Sequence, residues 1–213
     1  LRPTGVSLQQ GLGPAFLTAG VYEVRYLGSN EGLGLMAGLQ AGVKVGGGPV
    51  GATFAVATYN YNSPYTDEVG LGDSSGETSA EEYKFQLLDL YADVSVKFGD
   101  IGKGKIYFEY TENFGAEGES FPDVPLGTTG GGQRGGDIDP EANNQHYVIG
   151  SALEVSRFKF SVDYINTEAD ALPERLIDGD FGTGVESTDI DGYRFKAGVK
   201  LAKNCSIGLA YLR

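Results

Sequence analysis

Residues 105–114 read Lys-Ile-Tyr-Phe-Glu-Tyr-Thr-Glu-Asn-Phe. The even positions Ile106, Phe108, Tyr110 and Phe114 are apolar or aromatic, with Glu112 the exception. The odd positions Lys105, Tyr107, Glu109, Thr111 and Asn113 are nearly all polar. Side chains of a strand alternate between two faces, so this pattern is that of a strand with one apolar and one polar side. Three other stretches repeat it cleanly. Residues 157–164 set Phe158, Phe160, Val162 and Tyr164 against Arg157, Lys159, Ser161 and Asp163. Residues 193–201 set Tyr193, Phe195, Ala197, Val199 and Leu201 against Arg194, Lys196, Gly198 and Lys200. Residues 88–98 set Leu88, Leu90, Ala92, Val94, Val96 and Phe98 against Asp89, Tyr91, Asp93, Ser95 and Lys97.

The remaining stretches alternate less sharply. Residues 33–45 place Leu33, Leu35, Ala37, Leu39, Ala41, Val43 and Val45 on one side, and glycines with Met36, Gln40 and Lys44 on the other. In 16–26 the apolar set is read as Phe16, Tyr22, Val24 and Tyr26 against Glu23 and Arg25, with Leu17 and Val21 breaking the pattern. In 50–62, Phe54 and Val56 share one parity and Tyr59 and Tyr61 the other. A bulge near the end of that strand is the expected remedy.

Connections between these stretches alternate in length. Tight reversals are expected at 11–14, 46–49, 99–102, 155–156 and 202–204, and long ones at 28–32, 63–82, 115–143 and 168–188. Each strand therefore leaves from one edge and returns from the other, with short turns on one side and long loops opposite. That asymmetry is how an outer-membrane β-barrel is built, with short periplasmic turns and longer extracellular loops.

A soluble antiparallel sandwich, such as a carbohydrate-binding module, also alternates apolar and polar positions. Two features count against it. Sandwich strands average roughly five or six residues, whereas transmembrane strands need about nine or more. Aromatics also gather at both ends. Tyr26, Tyr59, Tyr61, Tyr110, Phe114, Tyr147 and Tyr164 lie near the long loops, and Phe16, Phe98 and Phe158 near the short turns. Two such rows match interfacial girdles.

The chain of 213 residues has the size of a single β domain. No run approaches the roughly eighteen apolar residues of a membrane helix, and a net charge of −13 argues against nucleic acid as partner. The single Cys205 and single His146 fall near opposite ends of their strands, so neither a Cys–His pair nor a four-ligand zinc site is expected. Gly32-Leu33-Gly34 lacks the helix that a dinucleotide site requires. No enzymatic constellation emerges, and no cofactor is expected.

From Gln145 to Leu212 the chain resembles the closing strands of a family of bacterial outer-membrane porins. The residues that carry the likeness are Asp163-Tyr164, Glu168-Ala169-Asp170-Ala171, Asp178-Gly179-Asp180-Phe181-Gly182, Gly192-Tyr193-Arg194 and Asn204-Cys205-Ser206-Ile207-Gly208-Leu209. Residues 5–9, 13–14 and 18–22, and Leu39-Gln40-Ala41-Gly42 with Tyr59-Asn60-Tyr61, look like hairpins from the middle of such a barrel. The resemblance implies a multi-stranded channel without enzymatic activity. Relatives of that kind carry more strands before the first hairpin and end on a terminal aromatic, whereas here the last residues are Tyr211-Leu212-Arg213. The expectation is one all-β, antiparallel up-and-down transmembrane barrel domain over 1–213. About ten strands are visible by the alternation count, and the barrel is expected to be incomplete at both ends.

On this reading Leu90, Val94, Ile106, Phe108, Phe158, Phe160, Phe195 and Val199 face lipid. The lumen is lined by Lys44, Asp89, Asp93, Lys97, Lys105, Glu109, Arg157, Lys159, Asp163, Arg194, Lys196 and Lys200, with Glu23 and Arg25 near the rim. The cations cluster toward the short turns, so an electropositive vestibule beneath an acidic mouth is expected, with cross-strand charge pairing as the plainer alternative. Residues 63–82 carry six acids and no Lys or Arg, and the other two long acidic loops hold one Arg each, Arg134 and Arg175. Asp178 and Asp180 form the best oxygen pair for Ca²⁺, although the spacing of a calcium loop is missing and solvated, mutually repelling loops are the default. The glycine-rich 126–136 leaves open whether that loop enters the lumen.

The expected function is passive diffusion of ions and small polar solutes through an outer membrane, with lipid as surroundings. The small residues of 33–45 suit packing of copies into a homo-oligomer such as a trimer. The alternative is a structural barrel that tethers the envelope or sheaths a partner such as an electron-transfer protein.

Overall fold

The computed structural model describes residues 4–24, 34–62, 85–115, 144–168, 171–172, 190–203 and 205–213. Period-two patterning becomes ten strands: β1 Thr4–Leu12, β2 Ala15–Val24, β3 Gly34–Val45, β4 Val50–Asn62, β5 Gln86–Lys97, β6 Gly102–Asn113, β7 Gln145–Val155, β8 Phe158–Thr167, β9 Ile190–Ala202 and β10 Cys205–Leu212. No helix occurs among the described residues. Sheet order follows chain order, and every neighbouring pair is antiparallel, so the fold is an up-and-down sheet. Among the described residues β1 pairs only with β2 and β10 only with β9, and both edges carry unpaired backbone groups.

The tight turns lie along one edge, and four of them, between β1 and β2, β3 and β4, β5 and β6, and β7 and β8, hold a residue at positive φ. Gly13, Gly46 and Gly99 adopt positive φ, where the missing Cβ removes the steric penalty. The β7–β8 reversal lies at Ser156–Arg157, one residue later than the sequence spacing indicated, because Val155 still pairs with Phe158. Ser156 takes φ 53° without being a glycine. Ser156→Gly is therefore expected to raise stability by about 0.5–1 kcal/mol. Denaturant titration checks this, and an unchanged midpoint would show that the serine sits there without strain.

Register fixes which residues share a face. One row runs directly across nine strands as Leu12, Ala15, Val43, Phe54, Ala92, Phe108, Ile149, Tyr164 and Tyr193. A parallel row on the opposite side runs Lys44, Thr53, Asp93, Tyr107, Gly150, Asp163, Arg194 and Leu212. The sheet thus has one apolar and one polar face.

Burial is inverted relative to a water-soluble sheet. Ile106 is 67% and Ile149 51% exposed on the apolar face, whereas Asp163 at 1% and Thr111 at 4% are buried on the polar one. Side chains on the polar side thus shield one another more than those on the apolar side.

Two sequence readings are corrected here. In β2 the apolar face carries Leu17, Ala19 and Val21, because these pair with Ala41, Leu39 and Ala37. Phe16 and Tyr22 lie on the polar face instead, and Glu23 falls opposite Leu35. In β4 no bulge occurs: pairing with β3 and β5 runs unbroken, so Tyr59 and Tyr61 lie on the polar face with Ala57. Two members of the expected upper aromatic row and one of the lower row therefore leave the outer surface. Tyr110, Phe114, Tyr147 and Tyr164 keep the outward parity near the long-loop edge, joined by Tyr193. The ring centroids of Tyr147 and Tyr164 lie 5.9 Å apart, and those of Tyr164 and Tyr193 5.1 Å apart. Phe98 and Phe158 share that parity near the tight turns. Arg25 and Tyr26 lie outside the described residues.

Candidate functional site

The polar face is the candidate site, and its charges separate along the strands. Nearest the tight turns, one row joins Lys97, Lys103, Glu154, Lys159 and Gly198. The next row joins Ser95, Lys105, Ala152, Ser161 and Lys196, with no acid. The row holding Asp93, Asp163, Lys44 and Arg194 is balanced in sign. Further toward the long loops the charges are Glu109 and then Asp89, flanked by Tyr91, Val148, Thr111 and His146. Cations thus crowd one end of the face and carboxylates the other.

At mid-height the face is locked by a cross-strand cluster. The Tyr107 hydroxyl of β6 donates to Asp163 Oδ1 of β8, passing over Gly150 of β7. Arg194 Nε of β9 donates to Asp163 Oδ2 at 2.9 Å. A Cβ at residue 150 would lie 2.6 Å from Asp163 Oδ1 and would also overlap the Tyr107 ring, so only glycine admits the crossing. The same joinery recurs. The Tyr59 ring covers Gly38, with Cδ1 2.9 Å from where a Cβ would sit, and Phe16 covers Gly42. These flat aromatic rings supply the packing that the glycines lack.

Toward the long-loop edge the polar face closes into a buried hydrogen-bond network. The Asn113 side-chain carbonyl accepts from the backbone N–H of Gln86 and of Gly115, each at 3.0 Å. Asn144 Nδ2 donates to the Asn113 backbone carbonyl at 3.1 Å, and His146 Nδ1 and Thr167 Oγ1 lie 2.7 Å apart. Thr111 donates to Asp89 Oδ1 at 3.1 Å. Buried polar groups that are paired in this way hold the rim in one geometry.

The residues assigned to a lumen lie on this face, with one change of setting. Lys44 sits over the Phe16 ring at 5.2 Å, and Lys105 over the Tyr107 ring at 4.6 Å while donating to Tyr91 Oη at 3.2 Å. Asp89, Asp93, Lys97, Glu109, Lys159, Asp163, Arg194, Lys196 and Lys200 share the face by register. Arg157 belongs to the β7–β8 turn rather than to a strand, its guanidinium 5.3 Å from the Phe158 ring. Leu90, Val94, Ile106, Phe108, Phe158, Phe160, Phe195 and Val199 lie on the opposite, apolar face. Asp178 and Asp180, the long acidic loops and the glycine-rich 126–136 lie outside the described residues.

Sequence reasoning missed Lys103 and Glu154. Glu154 sits 3.4 Å from Lys103 and 3.6 Å from Lys159, an exposed trio of modest energetic weight. The parity of Lys103 with Lys105 marked its side; Glu154 was hidden because β7 carries Val148 on the polar face and Ser151 on the apolar one. No group of His, Cys, Asp and Glu suited to a metal occurs among the described residues. His146 stands at the long-loop end and Cys205, exposed, at the tight-turn end. No family model matches this chain, and neither does any curated protein or solved structure.

Proposed function

We propose that this chain forms the wall of a porin in a bacterial outer membrane: a water-filled channel through which ions and small polar solutes diffuse down their gradients. The observation that carries the reading is the inverted burial. Exposed apolar side chains cover the outer face of the strands, while Thr111, Asn113, His146, Thr167 and the Asp163 carboxylate are buried on the inner face. In water, an apolar surface of that extent would far exceed the few hundred Å² a soluble monomer normally exposes. Against hydrocarbon it is the stable arrangement, and tyrosines along the long-loop edge suit the lipid–water boundary. Ten alternating strands leave β1 and β10 antiparallel to each other, so the sheet can be sealed by these two edges or by further pairs of strands. The long loops then face outward and the tight turns the periplasm.

The test is conductance of the purified protein in planar lipid bilayers, with heat-modifiable gel migration as the check on folding. Discrete open-channel steps are expected. A protein that inserts and resists denaturation yet never conducts would sink the transport reading and leave the sheath. Ionic selectivity adds a sharper outcome. Asp89→Asn with Glu109→Gln is expected to lower the K⁺ over Cl⁻ permeability ratio about twofold or more, since side-chain charges set the ion population of a narrow pore. A ratio indifferent to both substitutions would place these carboxylates away from the ion path.

A further inference from the structure

Glycines on the polar face fall into two kinds. Gly38, Gly42 and Gly150 are each filled by an aromatic ring laid over them. Gly198 of β9 and Gly208 of β10, directly paired, are not. A Cβ at Gly198 would meet only the Ile207 carbonyl at 3.6 Å, and one at Gly208 only the Ala197 carbonyl at 3.7 Å, both ordinary contacts. Their floor is empty.

The walls of that empty floor are cationic. Lys159 stands directly opposite Gly198 on β8, and Lys196 and Lys200 flank Gly198 two residues away on the same face of β9. The hollow of about 440 Å³ at this place is lined by Arg157, Lys159, Lys200 and Lys203 and by no carboxylate. A larger hollow of about 800 Å³ shares Lys159, Gly198 and Gly208 and adds Lys103, Lys105, Lys196 and the hydroxyl of Ser161, with Asp93 and Glu154 as its two carboxylates. Glu154 approaches this group from β7 and engages Lys159 at 3.6 Å. Lys196, Lys200 and Lys203 have no ion-pair partner among the described residues. Like charges so gathered repel one another unless an anion intervenes.

We infer that the Gly198–Gly208 hollow is a binding site for a small oxyanion, a phosphate or a carboxylate, held by Lys159, Lys196 and Lys200. As an assignment of solute class this rests on the channel reading; the binding itself does not. The hollow opens on the polar face, so the occupant is a free solute rather than a lipid headgroup.

The experiment is titration calorimetry of inorganic phosphate, and separately of acetate, into the protein in a phosphate-free detergent. Saturable binding of at least one anion is expected. Each of Lys159→Gln, Lys196→Gln and Lys200→Gln should weaken it about fivefold, the equivalent of roughly 1 kcal/mol for an exposed charge pair. Gly198→Leu is the decisive variant. It keeps every charge, its Cβ fits the space, and it fills the floor, so a built site loses the anion.

Binding that survives Gly198→Leu at wild-type strength would overturn the proposal in favour of a diffuse positive field. Absence of saturable binding by wild-type protein would overturn it too. A parallel titration with phosphatidylglycerol micelles separates the sources, and binding there without binding of free phosphate or acetate would overturn the solute assignment. All variants are compared at equal heat-modifiable migration. Because no current is measured, failure here leaves the channel reading untouched, and failure of conductance leaves the site untouched.

Discussion

Phe108→Arg is expected to destabilise the inserted protein by about 2–4 kcal/mol, the penalty of a cation on the lipid side of a barrel near the bilayer midplane. Phe108 lies in the middle of β6 on the apolar face, flanked by Ala92 and Ile149 across the strands. An arginine there has no counter-charge along its row and, in the proposed membrane setting, only hydrocarbon around it. Ser95→Arg supplies the matching control on the polar face, beside Gly51 and Lys105. Its expected cost is below about 1 kcal/mol, since the new side chain remains hydrated and meets only screened repulsion from lysine. Guanidinium unfolding from lipid vesicles measures both. Equal costs at the two positions, or a harmless Phe108→Arg, would mean that the apolar face meets water, and the membrane reading would fall with it.

Asp163→Ala is the second large effect, expected at about 3–5 kcal/mol. The carboxylate is buried and accepts from the Tyr107 hydroxyl and from Arg194 Nε at 2.9 Å. Its removal takes that acceptor from a phenol and a guanidinium that are themselves largely enclosed, and the desolvation of both then goes uncompensated. Gly150→Val attacks the same cluster sterically: its side chain must displace the Tyr107 ring or the carboxylate, at a cost of about 1–3 kcal/mol or more. Both are read by vesicle unfolding with gel migration as the folding check. If Asp163→Ala costs less than about 1 kcal/mol, the cluster does not join β6, β8 and β9 in the way its hydrogen bonds imply.

The legibility of these two sites differs for a physical reason. Phe108 was assigned from its own strand, where Ile106, Phe108 and Tyr110 alternate with Lys105, Tyr107 and Glu109. Parity is a local property, because successive Cβ atoms point to opposite sides whatever the neighbours do. Gly150 carries no such mark. Its role comes from Tyr107 on one side and Asp163 on the other, residues distant in sequence that meet only through the β6–β7 and β7–β8 registers. Phe16, Tyr59 and Tyr61 were misread for a related reason. Aromatic character alone placed them outward, but the Phe16 and Tyr59 rings lie inward over Gly42 and Gly38, and Tyr61 meets Phe85 edge-on on the same face.

Chain order alone determined the strand number, the antiparallel succession and the alternation of tight and long connections, because period-two patterning and the turn residues act over a few neighbouring positions. It also determined the faces of β5, β6, β8 and β9, where charge and apolarity alternate without exception across the middle of each strand. Only the tertiary structure decided the faces of β2 and β4, the Tyr107–Asp163–Arg194 lock and the open floor at Gly198. Each of these depends on which residue stands opposite which across the sheet. A one-residue change of register reverses that partnership while leaving every local pattern intact.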